Sequence, residues 1–250
     1  MSSATHSPSP VVTLVSRREV AVRTLAFEIT RPDGFQFKAG QTVDLTWVEP
    51  SETDSEGDTR TLSIASAPDD PQLLFATRLR DTAFKRILER APLGAALRME
   101  GPFGDLTLHN NASRPAILIA GGIGITPFRS IVRRAAHEKL PHRIVLFYAN
   151  KSPENAAFLE EFEAIRKDNP NFAFIPTMGN SSPSWHGETG RISAEMLIRH
   201  LNSIASPTSN AAGPIYYVAG PPAMVTGIRS VLNSAGIDDD DVRSEEFSGY

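Results

Sequence analysis

Two stretches of this 250-residue chain carry residue types at spacings suited to holding a phosphate. The first is Ala120-Gly121-Gly122-Ile123-Gly124-Ile125-Thr126-Pro127-Phe128. An apolar run at 116–119 precedes it and has the character of a buried parallel strand. Phe128, Ile131, Val132 and Ala135 follow at the i, i+3, i+4, i+7 spacing of one helix face. A glycine-rich turn thus joins strand to helix, with Thr126 as the expected cap and Pro127 at the first helical position. Glycines admit close approach to the backbone, and a helix start offers free N–H groups and partial positive charge, so the fitting guest is a pyrophosphate. A tight turn needing small residues for packing accounts for the same letters, and the spacing is not Gly-x-Gly-x-x-Gly. The second stretch is Arg60-Thr61-Leu62-Ser63-Ile64-Ala65-Ser66. Strand alternation puts Arg60, Leu62 and Ile64 on one face and Thr61 and Ser63 on the other. Arginine offers a fork for phosphate; an ordinary barrel strand with one surface arginine is the competing reading.

The elements that must position these residues differ between the two halves. Segments 11–16, 20–29, 42–48, 60–66 and 72–80 alternate β-branched and aromatic residues, with turns at Pro32-Asp33-Gly34 and Ala39-Gly40. Residues 50–59 form an acidic, polar loop. Short strands in this arrangement predict a small antiparallel β-barrel. One helix interrupts them, with Phe84, Ile87, Leu88 and Ala91 as its apolar face and Asp81 or Thr82 as its cap. A strand at 96–100 leads into Gly101-Pro102-Phe103-Gly104. Beyond a polar hinge at 109–114, strands at 116–120, 143–148, 172–176 and 215–218 alternate with helices at 126–136, 152–166, 194–201 and 222–235. That rhythm predicts a Rossmann-like parallel sheet covered by helices, with ligands beyond the carboxyl ends of its strands. The expected division is a disordered tail at 1–10, a β-barrel domain at 11–110 and an α/β domain at 111–250.

Composition narrows the function classes. Net charge is −4, which argues against nucleic acid as the main partner. No apolar run approaches the ~20 residues of a membrane span, and the Ser/Pro/Thr-rich start lacks the order of a signal peptide, so a cytoplasmic protein is expected. Without cysteine the chain has no disulfide, thiolate nucleophile or cysteine-ligated cluster. The six histidines are scattered, and no metal site is expected.

Arg-x-Leu-Ser-x-x-Ser in a β-domain, followed by Gly-Gly-x-Gly-x-Thr-Pro in an α/β domain, resembles the ferredoxin–NADP(+) reductase superfamily. Gly40-Gln41, Gly101-Pro102-Phe103-Gly104, Ala219-Gly220-Pro221-Pro222-Ala223-Met224 and Glu245-Glu246-Phe247 fall in the same order, so the resemblance covers about 12–250. It implies a barrel that binds FAD and an α/β domain that binds NAD(P)H. Arg60 then pairs with the flavin phosphate, Ser63 bonds near flavin N5, and Ile64, Ala65 and Ser66 complete the flavin strand. Leu62 stands where the family usually has an aromatic that stacks on the flavin ring. A second phosphate anchor is implied at Thr82, Ala83 and Phe84, where the family often has Gly-x-x-Ser/Thr. Gly121, Gly122, Gly124, Thr126 and Pro127 then hold the nicotinamide dinucleotide, with Gly220, Pro221 and Met224 across the pocket and Asn150 and Lys151 on the next loop. Lys151, Ser152 and Arg191 are the partners available to a 2′-phosphate, and the choice between NADH and NADPH stays open. Glu245, with Glu246 as the register alternative, sits near the serine, and Phe247 covers the flavin face, with Tyr250 as an alternative cover. The implied function is transfer of hydride from NAD(P)H to FAD and of electrons to a separate acceptor, a ferredoxin-like protein or a small molecule. A free-flavin or quinone reductase and a non-catalytic NAD(P)- or redox-sensing module are the alternatives.

Overall fold

The computed structural model describes residues 9–180, 184–204 and 213–247. Its first half contains β1 (Val11–Ala21), β2 (Thr24–Thr30), β3 (Thr42–Trp47), β4 (Thr59–Ser63), β5 (Gln72–Arg78), helix α1 (Ala83–Arg90) and β6 (Ala96–Phe103). The strands pair antiparallel in the order β4-β3-β6-β1-β2-β5. The sheet curls until its edges meet just past β4, where Ala65 N–H donates to the Leu74 carbonyl (2.7 Å) and Leu74 N–H to Ser66 Oγ (3.1 Å). Inward side chains such as Leu14, Phe27, Val43, Leu45, Ile64 and Phe75 fill the interior. Helix α1 packs Phe84, Ile87 and Leu88 onto that core, and Trp47 Nε1–H donates to the Phe84 carbonyl (3.2 Å).

β1 runs unbroken through the polar stretch Ser16-Arg17-Arg18-Glu19, where the sequence suggests an interruption. Those residues pair with β2, and the Arg17 guanidinium donates to the Leu88 and Ala91 carbonyls at the end of α1. A strand edge facing a helix C-terminus has use for a cation, so polarity there does not signal a loop.

The second half contains β7 (Ala116–Gly121), α2 (Ile125–His137), β8 (Ile144–Asn150), α3 (Leu159–Asp168), β9 (Phe172–Met178), β10 (Glu188–Thr189), α4 (Ala194–Ile204), β11 (Ile215–Gly220), α5 (Pro222–Ser234) and β12 (Val242–Glu246). All strands are parallel, in the order β10-β9-β8-β7-β11-β12. The order reverses between β7 and β11, both buried along their whole length, so the glycine turn after β7 lies at the switch point. Two local expectations change. Gly122–Gly124 form a 3₁₀ turn, α2 begins at Ile125, and the Thr126 hydroxyl donates back to the Ile123 carbonyl (3.1 Å) rather than capping the helix. The helix expected over 152–166 is split into a 3₁₀ turn at Pro153–Asn155 and α3, with Phe158 between them in the left-handed region at φ 62°. The 3₁₀ turn docks on the barrel, where Val22 N–H donates to the Glu154 carbonyl (2.8 Å).

Helix α2 fastens the two domains. Arg129, buried to 5% exposure, donates to the Ala65 carbonyl (2.6 Å), forms a fork with Glu161 (2.8 and 2.9 Å) and lies over the Phe158 ring. Ser130 Oγ–H donates to the Ser66 carbonyl (2.6 Å), and Arg133 pairs with Asp70 (2.9 Å). Gly40 lets the barrel close against this junction: its φ is 102°, and a Cβ there would stand 2.1 Å from the Leu106 oxygen. The hinge is tied down as well, since His109 Nδ1 meets the Tyr217 hydroxyl (2.8 Å) and His142 Nε2 meets the His109 carbonyl (2.8 Å). No helix among the described residues is long and apolar enough to cross a membrane.

Candidate active site at the domain cleft

A cleft of about 510 Å³ opens where the barrel faces the α/β domain. Strand β4 supplies Arg60, Leu62 and Ser63, the end of β5 supplies Ala76 and Thr77, and Arg80 and Lys85 flank the start of α1. Ile123 and Thr126 come from the glycine turn and Phe247 from the end of β12. Two motifs far apart in sequence, and the C-terminal one, thus line one space.

Strand alternation places the barrel side. Arg60 and Leu62 are half-buried while Thr61 between them is exposed and bonded to Asp44. Leu62 packs on the margin of the barrel core. Ser63 is buried, and its Oγ has no partner within the protein. A buried unpaired hydroxyl is costly, so one at a cleft wall is a donor or acceptor reserved for a ligand. Ile64, Ala65 and Ser66 lie behind the wall: Ile64 is in the core, and Ala65 and Ser66 accept the bonds from α2.

The start of α1 has the features of an anion seat. Thr82 occupies the capping position with extended backbone, yet its hydroxyl makes no capping bond and is buried without a partner. Ala83 N–H is taken by the Asp54 carboxylate, and that bond holds the carboxyl below its ordinary range. Phe84 is buried, and the Arg60 guanidinium lies 5.4 Å over its ring. Arg60 also pairs with Glu56 (3.2 Å), which reaches Arg80 (3.4 Å). Lys85, buried in this group, is drawn down to about 8, first by burial and then by the charges of Arg80 and Arg60. Lys85, Arg80 and the acids facing them escaped sequence reasoning. The available signal was Lys85 one turn beyond Thr82, on the face where an anion at the helix start is met.

In the glycine turn the three glycines differ. A Cβ at Gly124 would lie 2.4 Å from the Ala219 oxygen, so packing of the β7 turn on the β11–α5 turn requires that glycine, whereas one at Gly121 would lie 2.1 Å from Met224 Sδ and displace a flexible side chain. Gly122, at φ 53°, faces open space. The packing and ligand readings of this stretch therefore apply to different glycines. Pro127 lies buried in the first turn of α2, and Gly220, Pro221 and Met224 form the opposing turn. At the carboxyl end of β8 both amide atoms of Asn150 are buried and unpartnered, whereas Lys151 is exposed.

β12 ends beside this turn. Glu246 pairs with Gly220 in register, and Phe247 N–H donates to the Gly220 carbonyl (3.0 Å), which carries the Phe247 ring into the cleft. Glu245 is half-buried and Glu246 exposed. Burial, and secondarily the nearby Asp105, push the Glu245 carboxyl up to about 7. Tyr250 lies outside the described residues. The unpaired Ser63 and Thr82 hydroxyls, the cations beside α1 and the open face of Gly122 fit a flavin with its phosphates on one side and a dinucleotide on the other.

Comparison with known proteins agrees with this geometry. The family described as Oxidoreductase NAD-binding domain matches residues 118–230. Ferredoxin–NADP reductase B of Sorangium cellulosum is 30% identical over 216 residues, which is 84% of each chain. The NADH-cytochrome b5 reductase 1 of Aspergillus terreus is 28% identical over 157 residues, 60% of this chain and 51% of that one. Among solved structures, a ferredoxin NADP+ reductase from Neisseria gonorrhoeae with bound FAD and NADP superposes with a TM-score of 0.79 at 19% identity, covering 96% of this chain and 99% of that one. The chain belongs to the ferredoxin–NADP reductase family and is a flavoprotein oxidoreductase that uses FAD and NAD(P)H.

Proposed function

We propose that the chain passes hydride from a nicotinamide dinucleotide held by residues 111–250 to FAD held by residues 11–110, and then electrons to a separate acceptor such as a ferredoxin. The observation that carries this reading is the convergence of Ser63, Thr126 and Phe247 on one cleft from the barrel, the glycine turn and the C-terminal strand. Bound FAD supplies the chemistry, since a flavin accepts two electrons together and releases them singly.

The chain's own residues bind, orient and shield. Arg60, with Thr82 and the N–H groups of Ala83 and Phe84, anchors the flavin phosphates by charge and helix-start donors. Ser63 offers its unpaired hydroxyl to the ring edge, and Leu62 packs on the ring without aromatic stacking. Gly122 leaves room at the switch point for the second pyrophosphate, beside Gly121, Gly124, Thr126 and Pro127. Gly220, Pro221 and Met224 wall the far side, and Asn150 and Lys151 meet the adenosine end. Glu245 stands two residues before Phe247 and is not part of the cleft wall, and its carboxyl, pushed up to about 7 by burial and Asp105, is suited to hold or give up a proton there. Phe247 is the lid that excludes water until it moves aside.

Turnover measured with NADH and NADPH against a ferredoxin, a quinone and free flavin tests the proposal. One-electron reduction of the ferredoxin by flavin-loaded protein is the expected result. Tightly held flavin with no turnover on any of these acceptors would overturn it, and efficient turnover only with free flavin would replace it with a flavin reductase.

A further inference from the structure

We propose that the acidic loop at residues 52–58 is an internal counter-anion of the flavin phosphate seat, its Asp54 and Glu56 carboxylates competing with the flavin's phosphates for the same donors. The inference rests on the reading that Arg60 and the start of α1 receive those phosphates.

Three acids at alternate positions of this loop reach the same helix end. Glu52 accepts from Arg86 Nε (2.8 Å) and Nη2 (2.5 Å). Asp54 accepts from Ala83 N–H with one oxygen and from Glu56 N–H with the other (2.9 Å). Glu56 bridges Arg60 (3.2 Å) and Arg80 (3.4 Å), while the Glu56 and Gly57 carbonyls accept from Arg60 Nη1 (3.0 and 3.1 Å). The loop therefore engages both anchors assigned to the flavin phosphates, the N–H at the helix start and the Arg60 fork.

The surroundings keep polar groups that the loop leaves unused, while Arg86 is shared between Glu52 and Asp81. Helix α1 has no acidic residue in its first turn, so its N-terminal charge is met only from outside the helix. Thr82, 3% exposed, leaves its hydroxyl unpaired in the position from which it would cap. Lys85, 7% exposed, lies beside Arg80 and Arg60 with Glu56 as the opposing charge, and its pKa is lowered first by burial and then by those two arginines. A diphosphate presents several oxygens to such a group, whereas each carboxylate presents two. Two anions do not share one N–H donor and one arginine fork at close range without mutual repulsion. Binding of the phosphates then requires the Asp54 and Glu56 side chains to withdraw, and their charges set how firmly FAD is held.

The experiment measures affinity by quenching of flavin fluorescence in protein stripped of flavin, at fixed ionic strength. FAD is compared with riboflavin, which has no phosphate, for the native chain, Glu56→Gln, Asp54→Asn and Arg60→Ala. Asparagine has one acceptor oxygen where Asp54 uses two, so Asp54→Asn removes the charge and keeps one of the bonds to the Ala83 and Glu56 N–H groups but not both; Glu56→Gln leaves both of these bonds in place. Glu56→Gln and Asp54→Asn should each tighten FAD by several-fold, and together by about tenfold, with riboflavin unmoved. FAD affinity unchanged or weakened in both acid variants, with Arg60→Ala still weakening FAD, overturns the loop's role alone. Equal tightening of FAD and riboflavin also overturns it, because the effect would then bypass the phosphates. FAD affinity indifferent to Arg60→Ala removes the phosphate seat itself, and the proposal with it.

Discussion

Replacing Glu245 by glutamine should stabilise the fold at pH 8 and change it little at pH 4 or below. In the folded protein, burial and Asp105 carry the Glu245 carboxyl from 4.5 to about 7. Between those values the unfolded chain has released the proton and the folded chain still holds it. Stability therefore falls as pH rises from about 4.5 to about 7, and the full cost persists above that window. At roughly 1.4 kcal/mol per pH unit the cost approaches about 3 kcal/mol, and water reaching a half-buried side chain lowers the expected gain on substitution to about 1–2 kcal/mol. Urea unfolding at pH 4, 6 and 8 measures it, with FAD saturating throughout so that cofactor linkage is constant. The two tryptophans report separately, Trp47 from the barrel core and Trp185 from the stretch before β10 in the domain that holds Glu245. A gain of the same size at every pH would mean that glutamine merely packs better. A loss at pH 8 would mean that the ionised carboxylate has a favourable partner in the folded protein. Either result refutes the claim that this carboxyl is held protonated to near neutrality.

Arg129→Ala should cost about 2–4 kcal/mol in the same assay, because it leaves the Ala65 carbonyl unsatisfied and takes one of the two arginines from Glu161. Arg129→Lys should recover less than half of that loss, since an ammonium does not reproduce the fork. Gly124→Ala should destabilise by about 1–3 kcal/mol through collision with the Ala219 backbone, visible as a lowered thermal midpoint. Gly122→Val should leave FAD bound and raise the KM for the nicotinamide nucleotide at least tenfold, since its side chain enters the open space of the proposed dinucleotide site; a valine at φ 53° also carries backbone strain of about 1–3 kcal/mol, so the comparison is made at equal folded content. Loss of flavin from Gly122→Val would contradict the division of the two sites.

The parts of the fold legible in the sequence are those where local pattern and tertiary role coincide. Ile117, Leu118 and Ile119 read as a buried strand and are one, and Phe128, Ile131, Val132 and Ala135 form the buried face of α2 as their spacing indicates. The pattern misled where a polar residue has a distant partner. Arg17 sits in a strand because carbonyls from α1 lie beside it. Arg129, for which the spacing carries no signal, is buried in α2 because it donates to the Ala65 carbonyl of the other domain. Phe158 breaks the helix expected over 152–166 because the chain there turns toward the barrel. Motif order singles out Ser63 and Phe247, and both line the cleft, but Lys85, Asp54 and Glu56 carry no signal of their own. Their part depends on a loop folding back on a helix start, a long-range contact between Asp54 and Ala83 that no local spacing encodes.

On the proposed function, the cleft brings nicotinamide and flavin together for direct transfer. The most direct test mixes FAD-loaded protein with NADH or NADPH in the absence of oxygen and any acceptor, and follows the flavin absorbance. The expected result is bleaching of the oxidised flavin by at least one nucleotide, slowed in Gly122→Val at equal flavin content. A flavin that stays oxidised with both nucleotides in the native protein would contradict direct transfer.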